Sequence, residues 1–287
     1  MSVTVHDVIE AVAVLGAGMA AGTINTVVGS GTLITFPTLL AFGYPPLIAN
    51  VSNTIGLVPG VLSGIHGFRR ELVGQRDRLL FLGSASLLGG ILGAALLLTL
   101  PATAFNAIVP VLIGLALVLV VIQPRLAARM AARRQSNGEV GNGASNGAVA
   151  AAAVAEPAGA TSETASKPEF SRGGPLLWVM VFGTGVYGGY FGAAQGVLLL
   201  AFLGIAFTDP MAKLNGAKNV LAALVNGVAA VIFIALSPVN WGVVALIAAG
   251  SIVGGQIGAR IGRRLPPMAL RALIVCVGIA ALLKLLL

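Results

Sequence analysis

Charge is what this sequence has least of. Only 9% of its 287 residues are Asp, Glu, Lys or Arg, against about a quarter in a soluble domain. Such a chain cannot solvate its surface in water, which excludes an ordinary soluble globule. A single cysteine, Cys276, excludes an intrachain disulfide. With only two histidines there is no Cys/His cluster of metal-ligand spacing. No HExxH, nucleophile elbow or phosphate-binding glycine loop is present, so nothing points to a catalytic centre, a cofactor or a metal. A basic n-region is also missing. Asp7 and Glu10 stand ahead of residues 11–28, which therefore read as a retained span rather than a cleaved leader.

What remains is apolar: 57% hydrophobic residues and a mean hydropathy of +0.98. The bilayer is the expected solvent. The formal charge of +8 sits mostly in short clusters between apolar runs, where it orients membrane segments rather than contacting nucleic acid. Cys276, inside an apolar run, is expected to be a small helix-packing residue.

The chain repeats itself at an offset of 165 residues (215−50, 251−86 and 266−101 all equal 165). Gly31 matches Gly196, Pro45 matches Pro210 and Asn50 matches Asn215. Ser86, Gly89, Gly90, Gly93 and Ala94 match Ser251, Gly254, Gly255, Gly258 and Ala259. Duplication of a very apolar chain is the mark of a transporter built from two repeats, with its site where the halves meet. The matched glycines read as surfaces of close helix approach.

Apolar runs lie near 8–28, 31–43, 46–67, 79–99 and 103–123, then near 175–193, 196–208, 211–236, 240–260 and 267–287. A helix needs about 20 residues to cross the hydrocarbon. The second run of each half is too short for that. Both short runs follow glycine-containing breaks and precede proline (Pro45, Pro46; Pro210). The expected organisation is a first membrane repeat over 8–123 and a second over 175–287. Between them, 124–174 is a linker that starts basic (Arg125, Arg129, Arg133, Arg134) and continues Asn/Gly/Ala-rich, expected to be disordered and cytoplasmic.

Arginine sets the orientation. The loop 68–78 holds Arg69, Arg70, Arg76 and Arg78, and 260–264 is also basic, whereas 99–103 and 237–241 carry no basic residue. Basic loops stay cytoplasmic. Across the offset, the basic loop near 74 corresponds to the uncharged one near 239, so equivalent loops face opposite sides. The expected fold class is therefore an all-α polytopic membrane protein of two inverted repeats, about five membrane segments each, with both termini outside. The alternative is eight full spans with two short re-entrant segments. Lys284, near an external C-terminus, can snorkel.

Ionisable groups within apolar runs are site candidates, because each costs at least about 2.5 kcal/mol at membrane depth. Between 173 and 259 these are Asp209, Lys213 and Lys218. Asp209 and Lys213 are four apart and can pair, and Asp209 before Pro210 can also cap a helix. Lys218 lies deeper, flanked by Asn215 and Asn219. The first-half counterpart is Asn50, Ser52, Asn53 and Thr54. Packed about a two-fold axis, the two clusters are expected to face each other and offer amide, hydroxyl and ammonium donors to a small oxyanion. Ser30 and Gln195, at matched positions in the breaks, and Asn25 extend that binding shell. Broken helices add backbone N–H groups at their starts. For Asn and Ser the alternative role is interhelical hydrogen bonding. His66, Lys213 and Asp209 are the candidates for coupling to protons. Trp178 and Trp241 fit interfacial anchors.

The run Gly22-Thr-Ile-Asn-Thr-Val-Val-Gly-Ser-Gly31, then Phe36-Pro37, Gly43-Tyr-Pro-Pro and Ala49-Asn-Val-Ser-Asn-Thr54, resembles the first repeat of the sulfite exporter TauE/SafE family. Gly185-Val-Tyr-Gly-Gly-Tyr-Phe-Gly-Ala-Ala-Gln-Gly196 and Lys213-Leu-Asn-Gly-Ala-Lys-Asn219 look like its duplicated partner. The first break is poorer in glycine, and the linker longer, than that family usually has. The resemblance implies export or uptake of small sulfur-containing or organic anions, coupled to protons. A bacterial inner-membrane location follows from it, with the lipid bilayer and a small anion as partners, no nucleic acid, and a monomer or homodimer. A passive anion channel uses broken helices equally well and is the alternative function. An intramembrane enzyme and a scaffold without transport are weaker rivals.

Overall fold

In lipid every backbone polar group must be satisfied within the chain, so apolar runs of this length become helices. The computed structural model describes residues 4–101, 103–125, 173–261 and 267–286, and among them all regular structure is helical apart from turns. The linker beyond Arg125 and the Lys284 side chain lie outside the described residues.

The first half contributes α1 (Val5–Val27), α2 (Thr32–Ala41), α3 (Pro46–Gly67) and α4 (Arg76–Thr99), then α5 (Thr103–Arg125). The second contributes α6 (Pro175–Tyr190), α7 (Gln195–Ala206), α8 (Met211–Leu236), α9 (Trp241–Ile261) and α10 (Pro267–Leu286). Among the described residues six of these (α1, α3, α4, α5, α8 and α9) are long and apolar enough to cross a membrane; α2, α7, the 16-residue α6 and the Ala272–Leu283 stretch of α10 are shorter. The offset survives in the helix boundaries: α3 and α8 begin at 46 and 211, α4 and α9 at 76 and 241. Helix α1 starts ahead of its apolar run because Thr4 caps it. The Asp7 N–H donates to the Thr4 hydroxyl at 3.3 Å, and the Thr4 N–H donates to the Asp7 carboxylate at 2.8 Å.

The halves exchange helices. Second-half α9 packs on α1 and α3, and first-half α4 packs on α6 and α8. Each of these contacts has its mate under the repeat. The matched glycines make this approach possible. A Cβ on Gly89 would collide with the Phe182 carbonyl, and one on Gly93 with the Val186 carbonyl. Their mates Gly254 and Gly258 stand in the same way against Met19 and Thr23. Ascending α9, its glycines and Ser251 meet ascending positions of α1, from Gly18 beside Ile247 to Thr26 beside Gly258, so the two helices run the same way.

Helix α2 doubles back along α1. Phe42 sits edge-on to His6, and the Tyr44 hydroxyl donates to the Glu10 carboxylate. Burial, then that carboxylate, pushes the Tyr44 hydroxyl up to about 12, so the bond persists at neutral pH. The start of α8 lies at the end of α3, where Gln75 donates to the Lys213 carbonyl at 3.1 Å. The end of α8 lies near the start of α3, where the Asn240 N–H donates to Ser52 at 3.1 Å.

Two expectations are corrected. Asp209 neither pairs with Lys213 nor caps α8, whose N-cap is Pro210 without a side-chain bond. It pairs instead with Arg78 at 2.7 Å, and Arg78 stacks its guanidinium 3.6 Å over the Phe207 ring. A planar guanidinium that satisfies a carboxylate and a ring together outcompetes a flexible ammonium. Arg78→Ala should therefore cost about 2 kcal/mol, read as a lowered unfolding midpoint in detergent. Lys213→Ala should leave that midpoint nearly unchanged. Cys276 is exposed rather than packed, because an apolar residue on a membrane helix gains nothing by facing protein instead of lipid.

Candidate functional site

The two breaks meet. Gly29 takes φ +89°, and its repeat mate Ala194, at the same offset of 165, takes φ 59°. An L-residue at positive φ is strained by about 1 kcal/mol or more, so the surrounding packing must hold Ala194 there. The Gly196 N–H donates to the Gly29 carbonyl at 3.0 Å. The backbones touch so closely that a Cβ on either glycine would strike the other. Helices α2 and α7 start beside this contact without side-chain caps. Among the described residues the N–H groups of Ser30, Gly31 and Thr32 have no backbone acceptor. Such a helix start favours an anion.

The polar clusters surround the breaks. Lys218 is 1% exposed, and its Nζ donates to the carbonyls of Asn25 and Thr26, both at 3.2 Å. Asn219 reaches the same Thr26 carbonyl at 3.4 Å. These are the last carbonyls of α1, which its own ladder leaves open. Asn50 does the matching work in the other half: its amide donates to the Tyr190 carbonyl, at the end of α6, at 3.0 Å. Asn25 and Tyr190 are themselves repeat mates. Each cluster therefore reaches across to the other half's broken helix, and the expected direct face-to-face arrangement is replaced by this crossing. The reason is that a helix end buried away from water must find donors.

The other named residues divide. Asn53 donates to Thr32 at 3.3 Å and accepts from Thr35, so it is tied to α2. Thr54 donates back to the Asn50 carbonyl at 2.9 Å, and Ser52 accepts from Asn240. These three have interhelical or local roles. Among the described residues the buried polar atoms with no partner include five in these helices and breaks: Ser30 Oγ, Gln195 Nε2, Asn50 Oδ1, Asn215 Oδ1 and the Tyr190 hydroxyl. Four of the five are named by the repeat comparison. An orphaned buried polar group costs about 1–3 kcal/mol, so such a set calls for a missing partner. Lys218 adds a buried cation with no carboxylate beside it among the described residues. Ser30 Oγ, Gln195 Nε2 and the Tyr190 hydroxyl can donate, whereas Asn50 Oδ1 and Asn215 Oδ1 only accept. Those three donors, the Lys218 Nζ and the uncapped helix starts are the chemistry of an oxyanion site.

His66, Lys213 and Asp209 stand apart from the breaks, at the end of the molecule where α3 finishes and α8 begins. His66 Nε2 lies 2.6 Å from an Arg69 guanidinium nitrogen. Sequence reasoning missed Thr32, Thr35 and Tyr190. The repeat mates of Thr32 and Thr35 are the apolar Val197 and Leu200, so matching across the offset discards those two. The three-residue spacing of Thr32 and Thr35, which puts both on one helix face, was the available signal.

Comparison with known proteins bears on the same span. The family model described as "Sulfite exporter TauE/SafE" matches residues 14–285. The "Probable membrane transporter protein YfcA" of Escherichia coli (strain K12) is 25% identical over 273 residues, 93% of this chain and 86% of the relative. A "Probable membrane transporter protein" of Haemophilus influenzae is 34% identical over 97 residues, 33% of this chain and 38% of the relative. No solved structure matches.

Proposed function

The chain belongs to the sulfite exporter TauE/SafE family of membrane transporters, and we propose that it carries a small sulfur-containing or organic oxyanion across the cell membrane by alternating access. The observation that carries this reading is the buried Lys218 Nζ, which donates to the Asn25 and Thr26 carbonyls at the break after α1 with no carboxylate beside it among the described residues. An anion bound there supplies the missing charge and occupies the unpaired donors. Ser30, Gln195, Asn50, Asn215, Lys218 and Asn219 are its proposed contacts, with the helix starts of α2 and α7. Asn53, Ser52 and Thr54 hold the frame, and Asn25 offers its carbonyl to Lys218.

The proposed topology is two inverted repeats of five crossings. Three contacts support it: α8 lies head to tail along α3, its own repeat mate; α9 runs with α1; and α2 returns to the end of the molecule where α1 starts. A return of that kind counts α2 as a short crossing and disfavours the eight-span alternative. Export and proton coupling complete the proposal, with His66, Lys213 and Asp209 as coupling candidates. The backbone contact of Gly29 with Gly196 favours a carrier over an open pore.

Counterflow in proteoliposomes tests the reading. Unlabelled sulfite or a small sulfonate on the trans side should accelerate flux of the labelled anion several-fold. Flux indifferent to trans substrate assigns the protein to the channel class, and no anion flux under any gradient removes the transport reading.

A further inference from the structure

The ends of α3 and α9 finish side by side around a cavity of about 430 Å³ lined by His66, Arg69, Arg70, Glu71, Gln256 and Arg260. Three guanidiniums there meet one carboxylate. A guanidinium has no acceptor, so in the His66–Arg69 contact the imidazole nitrogen accepts. The cavity is thus cationic.

Beneath it Gln256 donates to the carbonyl and hydroxyl of Ser63 at 3.0 and 2.9 Å, and the Ser63 hydroxyl donates to the Ile252 carbonyl at 2.9 Å. Gly67 closes on Ala259, and Gly60 on Ser251. These contacts latch α3 to α9.

One turn further along both helices the surface changes to exposed apolar residues. Leu62 is 55% exposed, Ile252 43% and Val253 51%. A cationic cup next to an apolar wall matches one kind of molecule, an anion carrying hydrocarbon chains. A free anion would use the cup and leave the wall idle. We propose that this cup holds the phosphate of an anionic phospholipid, with Arg69, Arg70 and Arg260 on the phosphate oxygens and the acyl chains along Leu62, Ile252 and Val253. The forked guanidinium fits a phosphate oxygen pair. The position agrees with the basic loops, which mark this end as the one facing the anionic cytoplasmic leaflet.

The test uses the full chain in nanodiscs of phosphatidylcholine alone or mixed with phosphatidylglycerol. Native mass spectrometry counts retained lipid, and thermal unfolding reads its effect. Phosphatidylglycerol should be retained in preference and raise the unfolding midpoint. The Arg69→Gln, Arg260→Gln double variant should retain it about thirty-fold more weakly, while melting like the parent in phosphatidylcholine alone. Equal retention by parent and variant overturns the proposal. So does equal stabilisation by soluble glycerol phosphate, which assigns the cup to a free anion. Neither outcome decides the transport reading, which counterflow tests separately.

Discussion

Replacing Lys218 with methionine is expected to reduce anion flux at least about thirty-fold while leaving a folded protein in the membrane. Removing one partner of a desolvated, hydrogen-bonded charge pair costs about 2–5 kcal/mol, and the lower end of that range already corresponds to thirty-fold at about 1.4 kcal/mol per decade. The protein should still fold, because burying an ammonium is itself costly and an apolar side chain of similar length removes that cost. Two roles must be separated. Lys218 donates to the Asn25 and Thr26 carbonyls, so it also caps α1. Lys218→Gln retains N–H donors without the charge. If the charge neutralises a substrate anion, the glutamine variant stays inactive with a near-native melting profile. If glutamine restores flux, capping is the whole role and the ammonium leaves the binding shell. Anion-dependent thermal stabilisation gives a second readout: it should vanish in both variants, since only a ligand that binds the folded form shifts that equilibrium.

Much of this frame was legible in the chain itself. The offset carried through to the starts of α3 and α8 and of α4 and α9, because matched proline and glycine positions punctuate helices in the same way in each copy. The tight glycine contacts were legible too, since small residues at helical spacing on a membrane helix serve close approach. The exchange of α4 and α9 between halves was not. Gly89 and Gly254 would look the same in sequence whether they packed on their own half or the other. Lys218 was legible as an expensive residue, but its partners were not. They depend on where α1 ends, and that is set by the break geometry around Gly29. The Arg78–Asp209 pair spans 131 residues, a separation at which local charge spacing carries no information. Asp209 was therefore assigned to the neighbour it could reach along a helix.

Gly29→Ala and Gly196→Ala should each abolish folded protein, and this tests whether the crossing of the two breaks is the fold's keystone contact. At Gly196 the added methyl would strike the Gly29 backbone, with atoms of Gly29 as its nearest neighbours. At Gly29 it would strike the Gly196 backbone and also sit at φ +89°, where an L-side chain is rare. Flexible side chains can give way to a methyl group; backbone can do so only by moving a helix. Overpacking of this kind costs about 3 kcal/mol or more, a large share of a marginal stability. The control lies in the same molecule. Gly183 and Gly227 have nothing within 4 Å of a Cβ. Alanine at these helical positions should be neutral or stabilise by up to about 1 kcal/mol, because glycine is the costlier residue in a helix. Ala194→Gly makes the opposite change at the matched break and should relieve strain without loss of flux. Size-exclusion profiles and melting midpoints read all five variants. Native behaviour of Gly196→Ala would mean that the halves can part at the breaks, and the oxyanion site would then need another floor.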